Sequence, residues 1–240
     1  MYLLVSIFYT IIFVIAICSS SIESFSSKSS TTATTKNNDI KSFHFGGGCF
    51  WAPEDNLRNI PGIISTSVGY CGDDTPFSSP PSYDKVCGGR TRLVEAVRVE
   101  YDDKQLSYED MLGLFAKVNT ATWQNKRQYR GIIFTSNDVE QKMATKFLND
   151  NPDVVAEIES MSDTFYTAEK YHQDYWAKWR FRLPSLVAFL AILGTYGEDV
   201  FGGEVSQKAY NVIVWGFIAF SMLERRFFTD QKVIIVNNNE

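Results

Sequence analysis

Polar and apolar residues alternate over 41–45 (Lys-Ser-Phe-His-Phe), the period of a half-buried strand. Gly46, Gly47 and Gly48 interrupt the pattern, and Ala52-Pro53-Glu54-Asp55-Asn56-Leu57 then carries proline and acids early, which predicts a short helix to about Arg58. After Pro61-Gly62, residues 63–70 predict a second strand and 94–101, again alternating, a third. A Pro/Gly/Ser-rich loop over 71–90 separates them. Ser107-Tyr108-Glu109-Asp110 reads as the cap and first turn of a helix to Val118, with Met111, Leu112, Leu114, Phe115 and Val118 apolar. Residues 131–135 predict a further strand, and Asn137 or Asp138 caps a helix through Phe147 and Leu148. The order β-α-β-β-α-β predicts an α+β protein, a two-layer ferredoxin-like sandwich over about 41–182.

The two ends of the chain are patterned differently. Residues 1–18 are almost entirely apolar and Ser19-Ser20-Ser21 follows, so 1–20 reads as a signal peptide or, because no positive residue precedes the run, as an uncleaved signal anchor. Residues 21–40 are rich in Ser and Thr with Lys28 and Lys36, a linker or a second, transit-like address. Together they predict entry into the secretory pathway, with a plastid, another endomembrane compartment or secretion as the destination. Beyond Arg182, apolar runs over 183–196 and 209–223 flank a Gly- and acid-rich break over 197–204. Each run falls short of the roughly 20 residues that span a bilayer. They predict a helical C-terminal extension over 183–240, either two packed helices or a membrane-attached hairpin edged by Arg180, Arg182, Arg225 and Arg226.

Composition narrows the function classes. The chain has 240 residues, 45% of them hydrophobic, and a net charge of −5, which gives no electrostatic basis for nucleic-acid binding. Its four cysteines (Cys18, Cys49, Cys71, Cys87) form no C-x-x-C pair and there are two histidines, His44 and His172, so the common structural zinc patterns cannot be written. No metal and no bound cofactor is expected, and the chain is expected to act as a monomer.

Chemistry concentrates at Cys49. Glycines let the backbone turn and approach a ligand, and a thiol at the start of the predicted helix meets the positive end of its dipole, which lowers a cysteine pKa and favours the nucleophilic thiolate. A buried, inert cysteine satisfies the same pattern.

The motifs that accompany it are more specific. Gly48-Cys49-Phe50-Trp51 with Glu54, Gly62-Ile63-Ile64-Ser65-Thr66-Ser67-Val68-Gly69-Tyr70, Ser82-Tyr83-Asp84-Lys85-Val86-Cys87, Gly89-Arg90-Thr91, Glu95-Ala96-Val97, Gln128-Tyr129-Arg130 and Tyr171-His172-Gln173-Asp174-Tyr175 occur in that order. Over about 43–176 the chain resembles the A-type peptide-methionine (S)-S-oxide reductases. The resemblance implies that Cys49 attacks the sulfur of methionine sulfoxide, free or protein-bound, in its S epimer, and becomes a sulfenic acid. It assigns the proton for the sulfoxide oxygen to Glu95, whose carboxyl an apolar strand would desolvate and keep protonated. Tyr83 and Tyr129 match the phenols that hold the oxygen, and Phe50 and Trp51 the aromatic wall for the substrate methyl. The late motif at His172 is read as structural, and Glu54 as a first-turn acid on the helix dipole.

A sulfenic acid needs a second thiol. No cysteine follows Cys87, so Cys87 and Cys71 are the internal candidates for resolving it, unless the two form a structural disulfide. Thioredoxin, glutaredoxin or glutathione is expected as the external reductant. The chain departs from the family where Thr91-Arg92-Leu93 replaces Thr-Gly-His, and where the stretch from Phe115 to Tyr129 is short and places Gln124 at an expected acid. These departures leave a catalytically weak or inactive, membrane-associated sulfoxide-binding relative as an alternative. A thiol acyl transferase or hydrolase is another, and it would need a base such as His44 beside Cys49.

Overall fold

The structure, a computed structural model, describes residues 39–72, 77, 79–122 and 126–236. The apolar 1–20 segment, nearly all of 21–40 and Gln124 lie outside the described residues.

Strand β1 (Ile40–Gly47) lies mid-sheet, between β3 (Val94–Asp102) and β4 (Gly131–Thr135), antiparallel to both. Strand β2 (Ile63–Cys71) pairs antiparallel with the other edge of β3. Short strands extend both margins: β5 (Glu157–Ser160) parallel to β4, then β6 (Thr164–Thr167) on β2 and β7 (Val233–Ile235) on β6. Among the described residues this makes one mixed seven-stranded sheet, ordered β5-β4-β1-β3-β2-β6-β7. The protein is thus α+β.

Strand alternation decides what each face does. Phe43 and Phe45 of β1 and Val97, Val99 and Tyr101 of β3 face the helical layer. There they join Leu57 of α1 (Trp51–Leu57), Met111, Leu112 and Phe115 of α3 (Tyr108–Val118) and Ala144 of α4 (Asp138–Asp150) in the main core. Val94 and Ala96 belong to a smaller cluster with Cys71, Ile132, Phe134, Met161 and Phe165. Glu95 shares the parity of Val97 and Val99, which aims it toward the helices. Local signals place those helices: Ser107 and Asp110 form a reciprocal capping box on α3, and the Asn137 side chain caps α4 by accepting from Val139 and Glu140.

The 71–90 stretch, predicted as loop, carries a one-turn helix, α2 (Tyr83–Cys87). Residues after Leu148, for which the sequence predicted no strand, supply β5 and β6. The C-terminal runs form α5 (Tyr175–Phe201) and α6 (Gly203–Phe227), and α5 continues through Gly197, which was expected to break it. The chain reverses at Gly202, whose φ of +81° suits glycine. The two helices pack antiparallel: Trp179 near the start of α5 meets Phe217 near the end of α6, and Arg182 forms a two-pronged ion pair with Glu224 at 2.7 and 3.2 Å. Among the described residues no helix is long and apolar enough to cross a membrane, which removes the spanning form of the expected hairpin. After the hairpin the chain returns to the sheet, where Lys232 N–H donates to Thr167 Oγ1 and Val236 N–H to the Asp163 carbonyl.

Candidate active site

Cys49 sits in the two-residue turn between Gly48 and α1, with its side chain exposed. The turn is clamped from outside, since the backbone N–H and hydroxyl of Thr120 both donate to the Gly47 carbonyl, at 3.1 and 3.0 Å. Gly48 holds φ +88°, and a Cβ there would lie 2.4 Å from Thr120 Oγ1. Gly48→Ala therefore combines left-handed strain with a steric clash. It should lower stability by about 2–3 kcal/mol and move Cys49 out of register, as urea unfolding and thiol-labelling rates would show.

Beneath the turn is Glu95, 1% exposed. The Phe50 N–H donates to its Oε2 at 3.2 Å and the Cys87 thiol to its Oε1 at 3.9 Å, so the end of α2 and the start of α1 meet on one carboxyl. Burial pushes Glu95 up to about 7 against those two donors. Its charge is felt by Cys49, Tyr83, Cys87 and Tyr129, which the fold gathers from three separate segments. The Tyr83 side chain is hydrogen-bonded to Cys87 and to Tyr129, the last residue of a 3₁₀ turn over Arg127–Tyr129.

The expected effect of the helix on Cys49 does not prevail. Although one side of the thiol is open, the protein packed around its other side strips water from it. This desolvation first, and then the Glu95 charge, hold it above its ordinary value, while the Trp51 backbone N–H pulls the other way. Helix α1 is only seven residues long, and Glu95 lies next to its start. A short dipole set against an adjacent carboxylate loses.

The aromatic residues divide. Phe50 is a core side chain, 1% exposed and packed on Tyr70 and His172, whereas Trp51 is half-buried and stacks flat on Tyr175, centroids 3.9 Å apart and planes at 7°. Tyr175 continues to Trp179 and Trp179 to Phe217, giving a ladder of rings from the site into the hairpin. His172 is enclosed by Phe50, Trp51, Tyr83 and Tyr171, and neither ring nitrogen has a hydrogen-bond partner. Gln173 fixes this segment to the sheet, accepting from Val68 N–H and donating to the Val68 and Ala168 carbonyls.

Glu54 is not a solvated first-turn acid. It is buried and accepts the Asp174 N–H at 3.2 Å beside Arg58, which also pairs with Asp174, so it ties α1 to the late motif. Glu169, which sequence reasoning missed, accepts from the Tyr70 hydroxyl at 2.9 Å and from the Tyr83 N–H at 2.8 Å, seating α2 over the site. Only its position three residues before His172 hinted at it. Leu93 of the altered loop is fully buried in the core, and the Thr91 hydroxyl is buried without a partner. Cys71 and Cys87 have different neighbours. Cys71 is 0% exposed against Met161 and Ser162, while Cys87 stands half-buried at Glu95.

His44 lies on the sheet face opposite Phe43 and Phe45, buried against Phe165, with burial and Arg98 pushing it down to about 3. His172 is also pushed down to about 3, by burial and then by Arg225 and Lys178. Neither can serve as a base for Cys49 near neutral pH. Among the described residues, no group of three or more His, Cys, Asp or Glu side chains is placed to hold a metal ion.

These groups also set a pH dependence of stability. Glu54 is raised to about 8 by burial and then by Asp174, and Glu95 to about 7, from an ordinary 4.5; the two histidines fall from 6.5 to about 3. Above pH 6.5 the folded carboxyls keep protons that the unfolded chain has released, so their contribution is lost as pH rises through 7 to 8. Below pH 4.5 the unfolded histidines take protons that the folded ones refuse, so stability is lost as pH falls toward 3. Between those limits the two effects oppose each other. Urea midpoints should show a plateau there and decline on both sides, by roughly 1.4 kcal/mol per pH unit for each group titrating.

Residues 41–187 match the family model for peptide methionine sulfoxide reductase. The chain is 36% identical over 144 residues to the peptide methionine sulfoxide reductase MsrA of Nautilia profundicola, covering 56% of this chain and 81% of that one. It is 37% identical over 146 residues to that of Halobacterium salinarum, covering 55% and 80%. Among solved structures, reduced Mxr1 from Saccharomyces cerevisiae superposes with a TM-score of 0.50 at 27% identity, covering 62% of this chain and 90% of that one. A sheet that lays a thiol over a buried carboxyl, with these likenesses, defines an oxidoreductase that acts on methionine sulfoxide. The chain belongs to the peptide methionine sulfoxide reductase family.

Proposed function

We propose that the chain reduces the S epimer of methionine sulfoxide, free or in proteins, through a thiolate and a sulfenic acid, with Cys49 as nucleophile and Glu95 as general acid. The observation that carries this reading is the buried Glu95, pushed up to about 7 and held between the Cys87 thiol and the N–H of Phe50, the residue next to Cys49. The Cys49 thiolate attacks the sulfoxide sulfur while Glu95 gives its proton to the sulfoxide oxygen. That oxygen passes to Cys49, so the cysteine is oxidised by two electrons to the sulfenic acid and methionine leaves with its sulfur reduced by two. Tyr83 and Tyr129 donate to the oxygen, and Trp51 supplies the face for the methyl group with Phe50 behind it.

Cys87 is the better resolving thiol, because it stands half-buried beside Glu95 while Cys71 is sealed. Its attack on the sulfenic sulfur releases water and leaves a disulfide, which thioredoxin, glutaredoxin or glutathione reduces. The central β4-β1-β3-β2 order, with α1 and α3 as the crossover helices, supports a ferredoxin-like sandwich at the heart of the sheet. The apolar and Ser/Thr-rich 1–40 segment supports delivery through the secretory pathway.

The test is turnover of each epimer of a methionine sulfoxide peptide with dithiothreitol. Consumption of the S epimer alone is expected, and consumption of neither or of both overturns the assignment. The same assay with thioredoxin on Cys87→Ser and Cys71→Ser should fail only for Cys87→Ser.

A further inference from the structure

Helices α5 and α6 touch each other along one stripe apiece, marked by the less exposed positions Arg182, Leu186, Leu190, Leu193 and Gly197 against Ser206, Ala209, Ile213, Phe217, Ser221 and Glu224. The rest of both surfaces is open although it is apolar. On α6, Val205, Val212, Trp215 and Met222 are 43%, 68%, 67% and 70% exposed. Their separations of seven, three and seven residues, with Lys208, Ala219 and Arg226 at the remaining positions of the rhythm, form one heptad seam on the outer side of the hairpin. An exposed apolar patch of this extent marks an interaction surface.

We propose that a second copy of this chain covers it, the two α6 helices packing antiparallel about Trp215 so that two hairpins make a four-helix bundle. Charge selects this occupant. Glu204, which also pairs with Lys208 of its own helix at 2.6 Å, and Arg226 lie equally far from Trp215 on either side, so antiparallel pairing sets Glu204 of each copy opposite Arg226 of the other, twice by symmetry. Asp199 adds negative charge at the turn and Arg225 positive charge at the base. A lipid surface fits less well, because tip-first insertion would bury Asp199 and Glu204, and the apolar runs end below bilayer thickness. A two-fold contact of this kind replaces the monomer expected from sequence. It rests on the hairpin alone, so failure of the proposed reductase chemistry would leave it standing.

Sedimentation of the full chain at about 10 µM should give a dimer of the 27.3-kDa chain. Trp215→Glu, remote from Cys49 and exposed, should weaken the dimer by at least about thirtyfold while circular dichroism stays unchanged. Arg226→Glu should weaken it as well, and Arg226→Glu combined with Glu204→Arg should restore it. A monomer at about 100 µM overturns the proposal. So does association that ignores Trp215→Glu, or a solution monomer that co-sediments with phosphatidylcholine–phosphatidylserine vesicles, which would assign the surface to lipid.

Discussion

Cys49→Ser is expected to abolish reduction of methionine sulfoxide, lowering single-turnover rates by at least about a thousandfold, the scale on which removal of a covalent nucleophile is felt. A serine hydroxyl in the same turn is un-ionised at neutral pH and has no route to a sulfenic acid. The fold should be untouched, since the side chain is exposed and the turn is held through the backbone by Thr120. Unchanged urea unfolding together with lost turnover is the expected pair of results. Retained epimer-specific reduction would overturn the assignment of the nucleophile.

Glu95→Gln should cost about 10²- to 10⁴-fold in the chemical step, the usual contribution of a positioned acid. It also has a signature that simple damage would not give. The Glu95 charge is one of the two influences that raise the Cys49 thiol, so the amide should bring the thiol pKa down and speed its alkylation at neutral pH even as turnover falls. In the intact protein the productive state pairs a thiolate with a protonated carboxyl. Because the thiol is held above its ordinary value while Glu95 sits at about 7, activity should rise with pH up to about 7, level off as Glu95 and Cys49 lose protons in compensation, and fall only once Cys49 is fully ionised. A variant that lost both alkylation rate and turnover would instead indicate a collapsed site.

Much of the sheet was legible because its four central strands and the helices between them carry complete local signals, such as the alternation at 41–45 and the Ser107 capping box. Strands β5, β6 and β7 were not, because each is three or four residues long and owes its conformation to a partner far along the chain. The residues gathered around Cys49 could be taken from their motifs, but the sign of the Cys49 shift could not. That sign depends first on how far the fold strips water from the thiol, and then on strand register bringing Glu95 beside a residue 46 positions earlier, neither of which a local pattern encodes. Glu54 misled for the same reason. It has the sequence position of a helix-dipole acid, yet it is spent on the backbone of Asp174, 120 residues away. Phe50 and Trp51 are adjacent and alike in chemistry, and only packing makes one a buried core ring and leaves the other half-exposed.

Strand β7 changes what the C-terminal hairpin is. Because the chain comes back after α6 to hydrogen-bond with β6, and Gln231 donates to the Pro81 and Thr167 carbonyls, the hairpin is a closed excursion with both ends fixed to one sheet. A tail can be trimmed from its free end at little cost. Here any truncation within 175–227 also takes away the sheet's last strand and the Gln231 brace on the loop leading to Tyr83, while excision of the hairpin with its ends rejoined would leave both in place. The hairpin is thus separable from the catalytic body by internal deletion, and not by shortening.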